Sequence, residues 1–278
     1  MKAAVCIDAH QHFWRYDVVR DQWITDDMAA LRRNFMPADL QPHLQAGNID
    51  GSVAVQADPS EKETGFLLAL AEANPFVRGV VGWVDLCADR LSDRLDYYAS
   101  FQRLKGFRHL VQGEAPGFLS RPEFLAGVAA LARYQFTYDL LIYSHQLTEA
   151  IAFVDRVPNQ RIVIDHLAKP PIRAGAFDTW VHDLTQLAER EHVHCKLSGW
   201  STEADWAAWK PDDIQRYLDV ALAQFGPRRL MYGSDWPVCL LASSYDRQLR
   251  TVEQVIDRLS PTEKESIMGA NAIQFYNL

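Results

Sequence analysis

With 278 residues, 48% of them hydrophobic, the chain can bury one large core, and 28 Lys plus Arg against 36 Asp plus Glu leave a net charge of −8. A surface of that sign has nothing to neutralise a row of phosphates, which argues against nucleic acid or an anionic membrane as partner and for a small molecule. No stretch approaches the roughly 20 apolar residues of a membrane span.

The opening Met1-Lys2-Ala3-Ala4-Val5-Cys6-Ile7-Asp8 is apolar for only a few residues before it runs into histidines. It lacks the apolar stretch and cleavage site of a secretion signal, so a cytoplasmic protein is expected. The first strand is predicted over residues 5–13. A long connection, 14–36, follows, carrying Trp14, Tyr16, Trp23 and Phe35 with no clear period; so many aromatics argue for a cover over a pocket and against disorder. Strands are then predicted at 51–57, 77–86, 104–110, 137–144, 161–166, 192–197 and 229–234. Helices are predicted between them at 61–73, 90–101, 121–134, 147–156, 177–190 and 212–225 from apolar residues at i, i+3, i+4. Helices at 244–259 and 262–276, separated by Ser260-Pro261-Thr262-Glu263, end the chain.

Eight β-branched runs alternating with amphipathic ones predict a parallel sheet closed into a (β/α)8 barrel: one domain, residues 1–278, with extra C-terminal helices. No GxGxxG or phosphate loop follows the first strand, so a nucleotide-binding open sheet has no support. Cys6, Cys87, Cys195 and Cys239 have no paired spacing and read as reduced, mostly buried thiols.

Barrels of this kind place their chemistry at the C-terminal ends of the strands. The first strand ends Asp8-Ala9-His10-Gln11-His12, and the two-residue period puts His10 and His12 on one face. The fifth ends Tyr143-Ser144-His145, the sixth Ile164-Asp165-His166 and the eighth Gly233-Ser234-Asp235-Trp236-Pro237. One histidine at a strand end is usually structural; His10, His12, His145, His166 and Asp235 converging on one mouth suggest catalysis. Imidazoles and a carboxylate can bind Zn²⁺ or Mn²⁺, or can work without metal by polarising a carbonyl and deprotonating water; spacing does not choose between these. Arg108 is the candidate for gripping a substrate oxygen, with an ion pair to Asp139 as its alternative, and Trp14 and Trp236 could face a sugar ring. Lys169 and Lys196 either contact substrate or pair with Asp165 or Asp8. His43, His182, His192 and His194 fall away from the expected mouth.

The His-x-His of the first strand, the single histidines of the fifth and sixth and the aspartate of the eighth resemble the amidohydrolase superfamily. Asp8-Ala9-His10-Gln11-His12-Phe13-Trp14, Gly106-Phe107-Arg108-His109, Ile164-Asp165-His166-Leu167-Ala168-Lys169-Pro170, Cys195-Lys196-Leu197-Ser198-Gly199 and Tyr232-Gly233-Ser234-Asp235-Trp236-Pro237 look like its sugar-lactonase branch. That branch holds L-fuconolactonases and L-rhamnonolactonases and resembles the metal-free 2-pyrone-4,6-dicarboxylate lactonase. The resemblance implies hydrolysis of a sugar lactone to the aldonic acid, with Asp235 as general base. It implies either no cofactor or one divalent cation, Zn²⁺ first, on His10, His12, His145 and Asp235. Dinuclear members use a carbamylated lysine late in the fourth strand; here Lys105 comes early and Arg108 and His109 end the strand, so a bridged two-metal centre is not expected. Alternatives are a metal-dependent decarboxylase of the same superfamily and a non-catalytic ligand-binding barrel. The sequence leaves room for a homo-oligomer.

Overall fold

The structure, a computed structural model, describes residues 4–278. The strands are β1 (Ile7–Gln11), β2 (Gly51–Val55), β3 (Val77–Gly82), β4 (Leu104–His109), β5 (Thr137–Leu140), β6 (Ile162–Ile164), β7 (Val193–Leu197) and β8 (Leu230–Tyr232). They pair in parallel in sequence order. Beyond β8 the ring is joined to β1 by Asp235 N–H donating to His10 O (2.8 Å) and His12 N–H donating to Trp236 O (2.7 Å). The same two bonds that close the barrel therefore hold three of the predicted catalytic residues, His10, His12 and Asp235, side by side.

Each strand is followed by a helix: α1 (Pro37–Ala46), α2 (Glu61–Ala73), α3 (Leu91–Tyr98), α4 (Pro122–Leu131), α5 (Leu147–Arg156), α6 (Phe177–Ala188), α7 (Pro211–Phe225) and α8 (Tyr245–Ile256). This is the (β/α)8 barrel expected from the alternation of patterns. No strong period announces α1, which carries Pro42 internally and buries only Pro37, Leu40 and Leu44. The predicted last helix divides into α9 (Pro261–Glu265), a π-helical turn at Ser266–Ala270 and α10 (Asn271–Tyr276). Ala272, Phe275 and Tyr276 of α10 pack with Ile7, Ala9, Val53, Val55, Val81, Val163 and Met231, filling the barrel from below. Most remaining apolar side chains form the larger core between barrel and helices. Among the described residues no helix is long and apolar enough to cross a membrane.

One irregularity matters for the site. The β1–β2 register slips between Asp8 and Gln11. Before the slip Ile7 and Ala9 join the interior cluster, while beyond it Gln11 bonds Ser52 Oγ and His10 and His12 take over the inward face. A bulge at a barrel rim re-aims side chains in this way.

Candidate active site

Asp235 has φ +56°, a left-handed conformation that turns the chain sharply after β8. Its neighbour Ser234 is clamped to Asp8, whose carboxylate accepts from Ser234 N–H (2.9 Å), Ser234 Oγ (2.6 Å) and Tyr245 Oη (3.2 Å). Burial pushes the Asp8 carboxyl up to about 6 against those hydrogen bonds. Asp8 thus ties β1 to the β8 turn and α8, and among the described residues no lysine pairs with it.

His166 opens a run of four residues, His166 to Lys169, with φ of 55, 57, 55 and 48°. Left-handed backbone costs about 1–2 kcal/mol at each non-glycine residue, so the run survives only where surroundings hold it. Here Leu167 and Ala168 are fully buried, the Trp180 indole N–H donates to Leu167 O (2.8 Å), and Lys169 N–H donates to His166 O (2.8 Å). Gly199 makes room: at φ +63°, a Cβ there would lie 2.3 Å from His166 Nδ1.

The imidazoles are oriented by their outer nitrogens. His12 Nδ1 lies 2.7 Å from Val55 O, which only accepts, so Nδ1 carries the proton and Nε2 has a free lone pair. His10 Nδ1 stands between Lys196 Nζ (3.1 Å) and Asp165 Oδ1 (3.3 Å), and its Nε2 turns toward His12 and Asp235. The two Nε2 atoms stand 3.2 Å apart, and Asp235 Oδ1 lies 3.4 Å from His12 Nε2, 3.9 Å from His10 Nε2 and 3.8 Å from His166 Nε2. His166 Nδ1 rests 2.9 Å from Ser198 Oγ. Burial holds His10 well below the usual histidine value and brings His166 down to about 4, so both are neutral bases at neutral pH. Burial alone would raise Asp235, but His166 and His12 outweigh it and keep the carboxylate below its ordinary range. His12 Nε2 thus offers a lone pair beside the Asp235 carboxylate, and His10 and His166 turn a ring nitrogen to the same point. Tetrahedral ligands at about 2.0–2.1 Å stand about 3.3 Å apart, close to the spacing of these atoms, so the donor set fits a divalent ion. His10, His166 and Asp235 bring one ligand atom each within 4.8 Å of one another, and His12 Nε2 lies beside two of them, His10 and Asp235.

Below this cluster lies a charge-balanced group. Arg108 pairs with Asp165 (2.9 Å), not with Asp139, and also donates to Gln56 O and Oε1. Lys196 Nζ sits 2.5 Å from Asp139 and 2.9 Å from Asp165. The Tyr276 hydroxyl donates to Asp139 (2.8 Å) from α10. Burial works to raise both acids; Lys196 and His10 nevertheless pull Asp165 well down, whereas Asp139 stays raised. Lys196 therefore props the site from inside, its ammonium held by two carboxylates and 3.1 Å from His10 Nδ1.

Above the cluster opens a hollow of about 250 Å³ lined by His12, Arg108, His166, Lys169 and Asp235 together with Trp23 and Arg20 of the long connection. Trp14 and Phe35 pinch that connection at its base with paired backbone hydrogen bonds of 3.0 and 2.9 Å. A larger hollow, about 440 Å³, lies at the opposite end of the barrel around Asn159 and Arg161 and has no such cluster.

Three residues expected at the mouth are placed elsewhere. β5 ends at Leu140, so His145 falls in an exposed turn, stacked on Tyr143 at 5.7 Å and outside the cluster. Trp14 and Trp236 are 3% and 1% exposed; Trp14 packs on Trp23 and Phe35, and Trp236 on Phe13 and Phe35, as core. Trp23, 42% exposed, reaches the hollow instead. Nothing in its local sequence separated it from Trp14. Lys169 pairs with Glu203 at 3.6 Å, not with Asp165 or Asp8.

A parallel barrel with histidines and an aspartate gathered at its C-terminal mouth defines the class of barrel hydrolases that work at a carbonyl centre. The amidohydrolase family profile matches residues 7–278, and the chain belongs to that family. It is 42% identical to the L-fucono-1,5-lactonase of Burkholderia multivorans, over 99% of this chain and 97% of that protein. It is 36% identical to the L-fucono-1,5-lactonase of Burkholderia ambifaria, over 98% and 95%. A crystal structure of an amidohydrolase from Burkholderia multivorans with bound Zn superposes with a TM-score of 0.96 at 42% identity, covering 99% of this chain and all of that one.

Proposed function

We propose that this protein hydrolyses an aldonolactone of the L-fucono or L-rhamnono type to the aldonic acid. The observation that carries the reading is the convergence of His10 Nε2, His12 Nε2 and His166 Nε2 on Asp235 Oδ1, supported by the similarity to two L-fucono-1,5-lactonases. Residues 1–278 act as one catalytic unit, in keeping with a family match that spans 7–278. Four free cysteines suit the reducing cytoplasm.

His10, His12, His166 and Asp235 would hold one divalent ion, Zn²⁺ by analogy with the Burkholderia structure. When bound, the ion supplies Lewis-acid charge for the lactone carbonyl oxygen. Asp235, ionised at neutral pH, takes a proton from the attacking water. Its weak basicity is offset by positioning: Asp235 N–H is fixed to His10 O and its carboxylate is held among the three imidazoles. Arg108 and Lys196 lock Asp165, and through it the His10 ring, in place. Trp23 offers an aromatic face to the C–H side of a sugar ring.

A pH-indicator assay over a panel of L- and D-sugar lactones, with wild type and Asp235→Asn, tests this. Wild type is expected to release acid from at least one 6-deoxy-L-sugar lactone, and the variant to lose about a hundredfold or more in kcat. Equal rates for the two on every lactone would sink the reading.

A further inference from the structure

We propose that Lys169 is a catalytic residue for the same reaction: it hydrogen-bonds the ring oxygen of the lactone and protonates it as the C–O bond breaks. This rests on the lactonase reading above.

The ammonium group is unusual in what surrounds it. The Lys169 side chain is 17% exposed, and its nearest acid, Glu203 Oε1, lies 3.6 Å away, beyond hydrogen-bonding distance. The other close neighbour is the Tyr143 ring, 5.0 Å from Nζ to centroid. An ammonium has three donors and no acceptor, and one this little exposed normally spends them on protein oxygens. Lys196 does so, at 2.5 and 2.9 Å. Lys169 does not, and it lines the hollow that also contains His166 and Asp235. Its donors await an oxygen that enters there.

The backbone delivers the group deliberately. His166 and Lys169 are the first and last residues of the left-handed turn, joined by the Lys169 N–H to His166 O bond, so one strained element presents both to the mouth. Glu203, from the turn after β7, supplies a countercharge at a distance that leaves the amine available.

The chemistry needs such a donor. Water adds to the carbonyl carbon as Asp235 takes its proton; the tetrahedral species then collapses, the carbon to ring-oxygen bond breaks, and a strongly basic alkoxide leaves. Lys169 gives that oxygen a proton and becomes the neutral amine. The new carboxylic acid returns a proton to the amine, Asp235 releases its own to solvent, and the sum is one lactone and one water converted to hydroxy-carboxylate and one proton.

The test compares wild type with Lys169→Met, Lys169→Arg and Lys169→Ala on the lactone that wild type opens fastest, with zinc affinity from chelator competition and melting temperature measured alongside. Lys169→Met should keep its melting temperature and zinc affinity, lose about a hundredfold in kcat and change KM little; added propylammonium should partly restore Lys169→Ala. Retention of kcat within about threefold in Lys169→Met overturns the proposal while leaving the lactonase reading intact. So does a fall in kcat matched by a fall in zinc affinity, since Lys169 would then act only by holding His166. If wild type opens no lactone, the parent reading fails first and this one with it.

Discussion

At the scale of single residues, the site works because buried groups are held in the charge state their task needs. His166 is brought down to about 4 and His10 well below its usual value, chiefly by burial, while Asp235 is kept low by His166 and His12 against its own burial. Protonation of any of them removes a lone pair or the base. As pH falls from 8, kcat/KM should therefore stay level through 6.5, the value of a solvated histidine, and drop only as His166 is protonated near 4. A pH–rate profile with its acid limb at the solvated value would show that these imidazoles are not buried as described. Glu63 carries the opposite sign. Burial lifts it from 4.5 to about 7, while it accepts from Ala57 and Asp58 N–H at the rim of the mouth. A carboxyl raised in the folded state binds a proton that the unfolded chain has lost, so its contribution is full below pH 4.5 and fades as pH rises through 7. Denaturation of Glu63→Gln and wild type at several pH values should show the variant gaining on wild type by up to about 3 kcal/mol over that window.

At the scale of elements, the turn after β6 and the residue facing it after β7 act as a pair. Gly199→Ala would put a methyl group 2.3 Å from His166 Nδ1 at a backbone φ of +63°. The backbone alone costs about 1–2 kcal/mol, and the displaced imidazole no longer points at Asp235. The variant should melt at a lower temperature and lose more than about tenfold in kcat. A variant with unchanged kcat would mean that His166 does not need its present position.

At the scale of the whole molecule, the barrel brings the proposed ligands from β1, the β6 turn and the β8 turn together without an ion. Zinc should therefore stabilise the fold by mass action, about 2.7 kcal/mol at a hundredfold excess over Kd, with chelation reversing both the gain and the activity. Thermal unfolding with chelator and then zinc measures this, and Asp235→Asn should respond far less. A wild-type melt indifferent to zinc would argue against the ion site.

Much of this was written in the sequence. The alternation of β-branched runs and amphipathic stretches determined the barrel, because strand and helix periods are local properties. The strand-end motifs marked His10, His12, His166 and Asp235, since a parallel barrel fixes which end of each strand carries chemistry. What local pattern could not supply was where each strand stops and which side chains cross the barrel. β5 ends at Leu140, which takes His145 out to solvent; Trp14 and Trp236 enter the core while Trp23 reaches the mouth; and Arg108 finds Asp165 across the barrel. The left-handed turn that brings Lys169 beside His166 is likewise a tertiary decision, because no run of four non-glycine residues adopts that conformation without buried neighbours to hold it.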